Sequence, residues 1–272
     1  MDTRIGAVSK RAWEGKTVAY VENDGVRIHY RVEGDGPPLF LHMGFSVDLT
    51  GWYEWGYVDA LKDEYRLILI DPRGHGKSDK PHDPSAYQSA HRVGDVVAVL
   101  DDLGVERTHY LGYSMGGRVG FEVAQLAPSR LRSLMIGGAT PYAAVNQVER
   151  RSQQFGEGMQ GYFDRQIPDH FKTPAFRAMM LANDAEALMA SLIDRPSLEG
   201  ILPTLPFPCL IYLGDADSRH PGCETWVRLI PDATFVSLPG LDHMTGISRS
   251  DLVLPHVCAF LSRVTSEQAV TR

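Results

Sequence analysis

Cysteine is scarce in this chain: Cys209, Cys223 and Cys258 are the only three in 272 residues. An odd, scattered set without metal-ligand or redox spacing excludes a disulfide framework and fits reduced thiols. No stretch approaches the roughly 20 apolar residues a membrane span needs, so no membrane is expected as a partner. Basic residues are in deficit, 27 Lys and Arg against 34 Asp and Glu, and no long basic run offsets the net charge of −7. That balance sets nucleic acid and anionic membrane surfaces aside. None of the ten histidines falls in an H-E-x-x-H or comparable spacing, so no metal is expected. Met1 to Lys16 mixes Asp2, Arg4, Lys10, Arg11 and Glu14 with no apolar core segment, unlike a signal peptide. Together these absences point to a cytoplasmic protein that acts on a small molecule, with its oligomeric state left open. No repeat or low-complexity tract interrupts it.

What is present is the material of one large α/β domain carrying an insertion. Val18 to Glu22 and Val26 to Glu33 read as strands joined by Asn23-Asp24-Gly25, a strong hairpin signal. Leu39 to His42 follows a Gly- and Pro-rich break. Tyr65 to Ile70, Thr108 to Tyr113, Leu131 to Ile136, Cys209 to Leu213 and Thr234 to Leu238 are apolar runs of the kind buried on both faces of a parallel sheet. Between them, Ser89 to Leu103 sets Val93, Val96, Val97 and Leu100 on one helical face, and Gly117 to Ala127 opens directly after a strand. Alternating strands and helices imply a mostly parallel sheet covered on both sides. Pro141 to Pro203 breaks this rhythm with short helical patterns rich in Met and aromatics, including Phe155, Phe163, Phe171 and Met179. A plain crossover needs only about a dozen residues, so this stretch reads as a helical lid. The core is then 1–140 with 204–272, and the lid 141–203.

The central chemical signal is Gly112-Tyr113-Ser114-Met115-Gly116-Gly117, which closes a strand and opens a helix. A serine on so sharp a turn needs neighbours nearly free of side chain two residues away, the G-x-S-x-G nucleophile elbow. A serine hydroxyl needs a base, and the base an orienting carboxylate. Two later loops supply candidates: Gly214-Asp215-Ala216-Asp217 after one apolar strand, and Leu241-Asp242-His243 after the next. Asp71-Pro72-Arg73-Gly74-His75-Gly76-Lys77-Ser78 ends like a phosphate loop, but Asp71 stands where that motif needs glycine, so neither nucleotide nor any other cofactor is expected.

These motifs, with Met43-Gly44-Phe45, stand in the order and over the span, Val26 to Leu261, that resembles the α/β-hydrolase superfamily, and within it the small bacterial esterase, perhydrolase and C–C hydrolase branch. The resemblance implies an eight-stranded α/β-hydrolase fold and a Ser114–Asp217–His243 triad. Asp217 is selected over its rival Asp215 because the family's acid usually stands three residues after the strand-ending glycine. Asp242 then shapes the histidine loop, and Asp71 to Ser78 is a structural turn. The oxyanion donors implied are the backbone N–H groups of Met115 and Phe45. Met43 replaces the histidine common before Gly44, which puts that histidine's support of the loop in doubt. Trp52 to Tyr57 could either wall a pocket or face the core.

The resemblance implies a serine hydrolase cleaving a carboxylic ester of a small substrate through an acyl-enzyme. The lid's Met and aromatic content suggests an apolar acyl or aryl group, with Trp52, Phe155 and Phe163 as pocket candidates. C–C hydrolysis of a diketone and cofactor-free perhydrolysis would use the same triad, and a non-catalytic receptor could keep the fold. A serine at the elbow argues against the dehalogenase and epoxide hydrolase branches, which use aspartate there.

Overall fold

The computed structural model describes residues 19–270, with the side chains of His170 and of residues 267–270 excepted. The readings made for Met1 to Lys16, and Val18 as a strand start, lie outside the described residues. Asp24 and Gly25 both take positive φ, 51° and 72°, the turn hand that matches strand twist. They join β1 (Ala19–Asn23) to β2 (Val26–Glu33), paired antiparallel. Strands β3 (Pro38–His42), β4 (Arg66–Ile70), β5 (Thr108–Tyr113), β6 (Leu131–Gly137), β7 (Cys209–Gly214) and β8 (Ala233–Leu238) complete one sheet. Its order is β1-β2-β4-β3-β5-β6-β7-β8, antiparallel up to the β2–β4 pair and parallel beyond it. This is the eight-stranded, mostly parallel sheet the sequence implied.

Helices α1 (Gly51–Glu54), α2 (Tyr57–Leu61), α3 (Ser89–Asp102) and α4 (Met115–Leu126) occupy the connections before β6. Between β6 and β7 come α5 (Gln147–Phe155), α6 (Gly158–Gln166), α7 (Pro174–Leu181) and α8 (Ala185–Ser191). The chain ends through α9 (Cys223–Val227), α10 (Thr245–Ser248) and α11 (Ser250–Val270). Among the described residues no helix is long and apolar enough to cross a membrane.

The alternation of side chains along each strand divides the core in two. Leu39, Leu41, Leu67, Leu69 and Leu111 pack with α2, α11 and the helices of the insertion. Phe40, Ile68, Ile70 and Tyr110 pack with α3, α4 and α9 on the other face. Both faces being covered explains why β5 is buried at every position. The loops after β3, β5, β7 and β8 gather at the carboxyl edge of the sheet, where open α/β sheets hold their ligands.

Candidate active site

Ser114 sits between β5 and α4 with φ 53° and ψ −111°, a backbone conformation that costs about 1–3 kcal/mol for a residue with a side chain. Two glycines let the surrounding chain close on it. A Cβ on Gly112 would lie 2.3 Å from the Gly116 carbonyl oxygen, and one on Gly116 would lie 2.0 Å from that of His42. The Ser114 amide donates to Gly137 O at 2.8 Å, which pins the turn to β6. Because Ser114 is itself non-helical, α4 begins at Met115, two residues earlier than the apolar pattern indicates.

The loops after β7 and β8 bring two more groups to the serine. His243 Nε2 lies 2.9 Å from Ser114 Oγ, and His243 Nδ1 lies 2.7 Å from Asp217 Oδ2. The other Asp217 oxygen accepts from the Arg219 amide and guanidinium, each at 3.0 Å. Burial alone would raise the Asp217 carboxyl. Hydrogen bonds from the His243 ring and the Arg219 amide, with the charges of both residues, outweigh burial and hold it down at about 2. Asp215 is exposed and accepts the Gly240 amide at 2.7 Å, stitching the two loops together. Asp242 accepts from Met244 N, Thr245 N and Thr245 Oγ1 and so closes the histidine loop on itself. Tyr113, which sequence reasoning passed over, donates to the His243 carbonyl at 2.6 Å and lays its ring 5.4 Å from the imidazole.

Gly44 brings the loop after β3 against Ser114, its would-be Cβ 3.2 Å from the serine's own. No hydrogen bond among the described residues uses the Phe45 or Met115 amide, and both residues border the same cavity as Ser114 and His243. Met43 is buried in the core. His42 bonds Tyr110 Oη at 2.7 Å, and that hydroxyl donates to Gly116 O at 2.9 Å, so His42 buttresses the elbow and not the loop. Burial first, then the charges of His75 and Arg92, push His42 down to about 3. Asp71 gathers His29 Nδ1, Leu49 N and Lys77 N around one carboxylate, while Arg73 pairs with Asp95. The Asp71–Ser78 segment is therefore built as a turn.

The cavity, of about 460 Å³, is roofed by the insertion between β6 and β7, a size common for small-molecule sites. Its lining corrects the expected pocket. Trp52 is fully buried and stacks edge-on against Tyr57 at 5.0 Å, facing the core because it falls on the inner side of α1. Phe163 is buried within the insertion and does not line the cavity. Phe155 lies one layer back, stacked at 4.7 Å on Tyr162, which does line it. Most of the Met and aromatic side chains hold the insertion to the core, leaving Gln147, Arg150, Gln154, Gln166 and Arg195 to face the cavity beside Phe176, Ile167 and Leu192. Four arginines, with Arg118 and Arg219, and no carboxylate line it, in a chain of net charge −7. The expected apolar pocket is thus a mixed one, with apolar side chains over much of its wall and arginines and glutamines set among them. Arg219 is paired with Asp217, whereas Arg150 and Arg195 have no carboxylate within ion-pair distance among the described residues. Burial first, and then the charge of Arg92, pull Arg195 down to about 9. The signal was present in the sequence as the Gln and Arg content of residues 147–166, and the aromatics drew attention from it. Among the described residues no cluster of three or more His, Cys, Asp or Glu side chains could hold a metal ion.

Residues 37–180 match the family model described as alpha/beta hydrolase fold. A Bacillus subtilis protein with the provisional name 2-succinyl-6-hydroxy-2,4-cyclohexadiene-1-carboxylate synthase is 33% identical, over 91% of this chain and 99% of its own. An enol-lactonase from Burkholderia xenovorans superposes with a TM-score of 0.80 at 26% identity, covering 90% of this chain and 100% of its own. An esterase from a Rhodococcus species gives 0.78 at 26% identity, covering 91% and 99%.

Proposed function

This chain belongs to the α/β-hydrolase fold family, and from that premise we propose that it is a serine hydrolase whose small ester or lactone substrate carries a carboxylate. The observation that carries the hydrolase reading is the unbroken chain Ser114 Oγ, His243 Nε2, His243 Nδ1, Asp217 Oδ2, with links of 2.9 and 2.7 Å. Ser114 Oγ attacks the carbonyl carbon as His243 Nε2 takes its proton. Asp217 stabilises the imidazolium without being protonated. The Phe45 and Met115 amides hold the oxyanion, and His243 returns the proton to the leaving oxygen. Water then repeats the sequence on the acyl-enzyme.

The substrate's charge is read from the lining. Among the described residues Arg150 and Arg195 have no carboxylate within ion-pair distance, and Arg195 shares its surroundings with Arg92 and Arg118 around Glu122. An anionic group on the substrate relieves that excess positive charge. The relative whose provisional name includes a succinyl group and a carboxylate supports this choice over a plain apolar ester, and the enol-lactonase supports a lactone beside an open ester. The insertion 141–203 is the lid that brings Arg150 and Arg195 to the substrate.

The test compares p-nitrophenyl hemisuccinate with p-nitrophenyl butyrate, acyl groups of equal carbon number that differ in charge. A hydrogen bond to a charged group is worth about 1.5–3 kcal/mol, so kcat/KM should favour the hemisuccinate by about 10- to 150-fold. Arg195→Met should remove most of that preference and leave the butyrate rate within about threefold. Equal rates on both esters, unchanged in the variant, would reject the anionic substrate while leaving the serine mechanism standing.

A further inference from the structure

Arg118 lies on the first turn of α4, four residues after Ser114, and its amide donates to Ser114 O at 2.9 Å. Its guanidinium meets Glu122 only through Nε, 3.5 Å from Oε1, and its two terminal nitrogens reach elsewhere. Nη1 donates to Pro141 O and Tyr142 O, each at 3.0 Å, and Nη2 donates to Pro196 O at 2.5 Å. Those carbonyls belong to the two segments through which the chain leaves the sheet for the insertion and returns. The same segments are zipped to each other: Ala144 and Arg195 exchange both backbone hydrogen bonds, at 2.9 and 2.8 Å, and Leu198 N donates to Pro141 O at 2.7 Å. One planar cation thus bridges both strands of this neck to the helix that carries the nucleophile.

We propose that Arg118 is a positioning residue that fixes the insertion, and with it the Arg195 side of the cavity, relative to Ser114. The geometry uses what guanidinium alone offers. Its donors fan out in a rigid plane and reach carbonyls on both neck segments at once, whereas a lysine ammonium is a point donor on a flexible stem. Arg118 is buried, and Glu122, fully buried, accepts from Arg92 and lies 3.5 Å from Arg118 Nε. The far end of the insertion is tied separately, by Asn183 Nδ2 donating to Ser46 O at 2.9 Å beside the Phe45 amide. The insertion is therefore held at the nucleophile helix on one side and at the loop after β3 on the other. The catalytic consequence rests on Ser114 being the nucleophile, but the mechanical one does not.

Two readouts on the full chain separate these consequences. Hydrogen exchange followed by mass spectrometry should show peptides spanning 141–147 and 194–198 exchanging about tenfold faster or more in Arg118→Met, from the loss of three charge-assisted hydrogen bonds, with β5 and β6 unchanged. Arg118→Lys should fall between. Ala144→Pro, which deletes the Ala144 amide bonded to Arg195 O and leaves Arg118 in place, should loosen the same peptides. It also serves as the test should Arg118→Met fail to fold. In kinetics, KM for p-nitrophenyl hemisuccinate should rise in Arg118→Met and in Ala144→Pro by more than the fluorophosphonate labelling rate of Ser114 falls. Unchanged neck exchange in Arg118→Met with lost turnover would overturn the proposal, since Arg118 would then be acting on the substrate directly. Uniform loss of protection across neck and sheet would overturn it too, as a purely global effect. Failure of labelling in the wild type, with neck exchange as expected, would sink the serine reading and leave the clamp.

Discussion

Exchanging Asp217 for asparagine separates a catalytic carboxylate from one that only shapes its loop. In the native site one oxygen of Asp217 meets His243 Nδ1 at 2.7 Å, and the other takes two donors from Arg219 at 3.0 Å. Asparagine keeps the shape and loses the charge. If its amide nitrogen turns toward Nδ1, the imidazole proton is displaced to Nε2, which can then no longer accept from Ser114. The loss of kcat should approach 10^4, about the size that the same exchange produces in a serine-protease triad. A second arm uses stability. The Asp217 carboxyl stands at about 2 in the folded chain against an ordinary 3.8, a gap worth about 2 kcal/mol at ~1.36 kcal/mol per pH unit. Because the folded value is the lower one, this stabilisation is complete above about pH 4 and drains away as pH falls toward 2. Asp217→Asn should therefore melt a few degrees below wild type at neutral pH, about 2–4 °C per kcal/mol, and the difference should narrow in acid. Asp215→Asn is the control: its amide oxygen can still accept the Gly240 N–H, so kcat on p-nitrophenyl acetate should change by less than about threefold. A large loss at Asp215 with Asp217→Asn near wild type would reverse the assignment and refute the reasoning.

Two further outcomes follow from the same geometry. His243 must be unprotonated to accept from Ser114, so log kcat/KM should fall in acid with a slope of about one; a slope of two, or no acid limb, contradicts a single base. Trp52→Ala should cost about 3–5 kcal/mol in denaturant unfolding, as expected for a fully buried indole, with KM of the folded enzyme within about twofold; a large KM effect would return Trp52 to the pocket.

The parts of this molecule that local chemistry dictates could be read in advance. β5 carries Tyr110, Leu111 and Tyr113 into a turn that only glycines at 112 and 116 permit, so the elbow was legible from a few residues. The hairpin at Asp24-Gly25 was legible for the same reason, since both positions take positive φ. The pocket wall was not. Aromatic content marks a residue as buried without saying which of two apolar environments receives it, and Phe155 and Phe163 went into packing between insertion and core. The arginines went unnoticed because their significance depends on partners that are distant in sequence: Arg118 on carbonyls at 141, 142 and 196, and Arg195 on the charges of Arg92, Arg118 and Glu122. His42 is a similar case. Its contact with the elbow passes through Tyr110, 68 residues away, and no spacing rule connects them.

The proposed mechanism requires a covalent bond to form on Ser114. Intact-mass and peptide mass spectrometry after brief exposure to a fluorophosphonate tests it directly. A single adduct is expected on the peptide carrying Ser114, absent in Ser114→Ala and strongly slowed in His243→Ala. Ser114→Ala should lose about 10^4- to 10^6-fold in kcat while unfolding at the wild-type temperature. An adduct on another residue, or a Ser114→Ala protein retaining a tenth of the wild-type turnover, would contradict it.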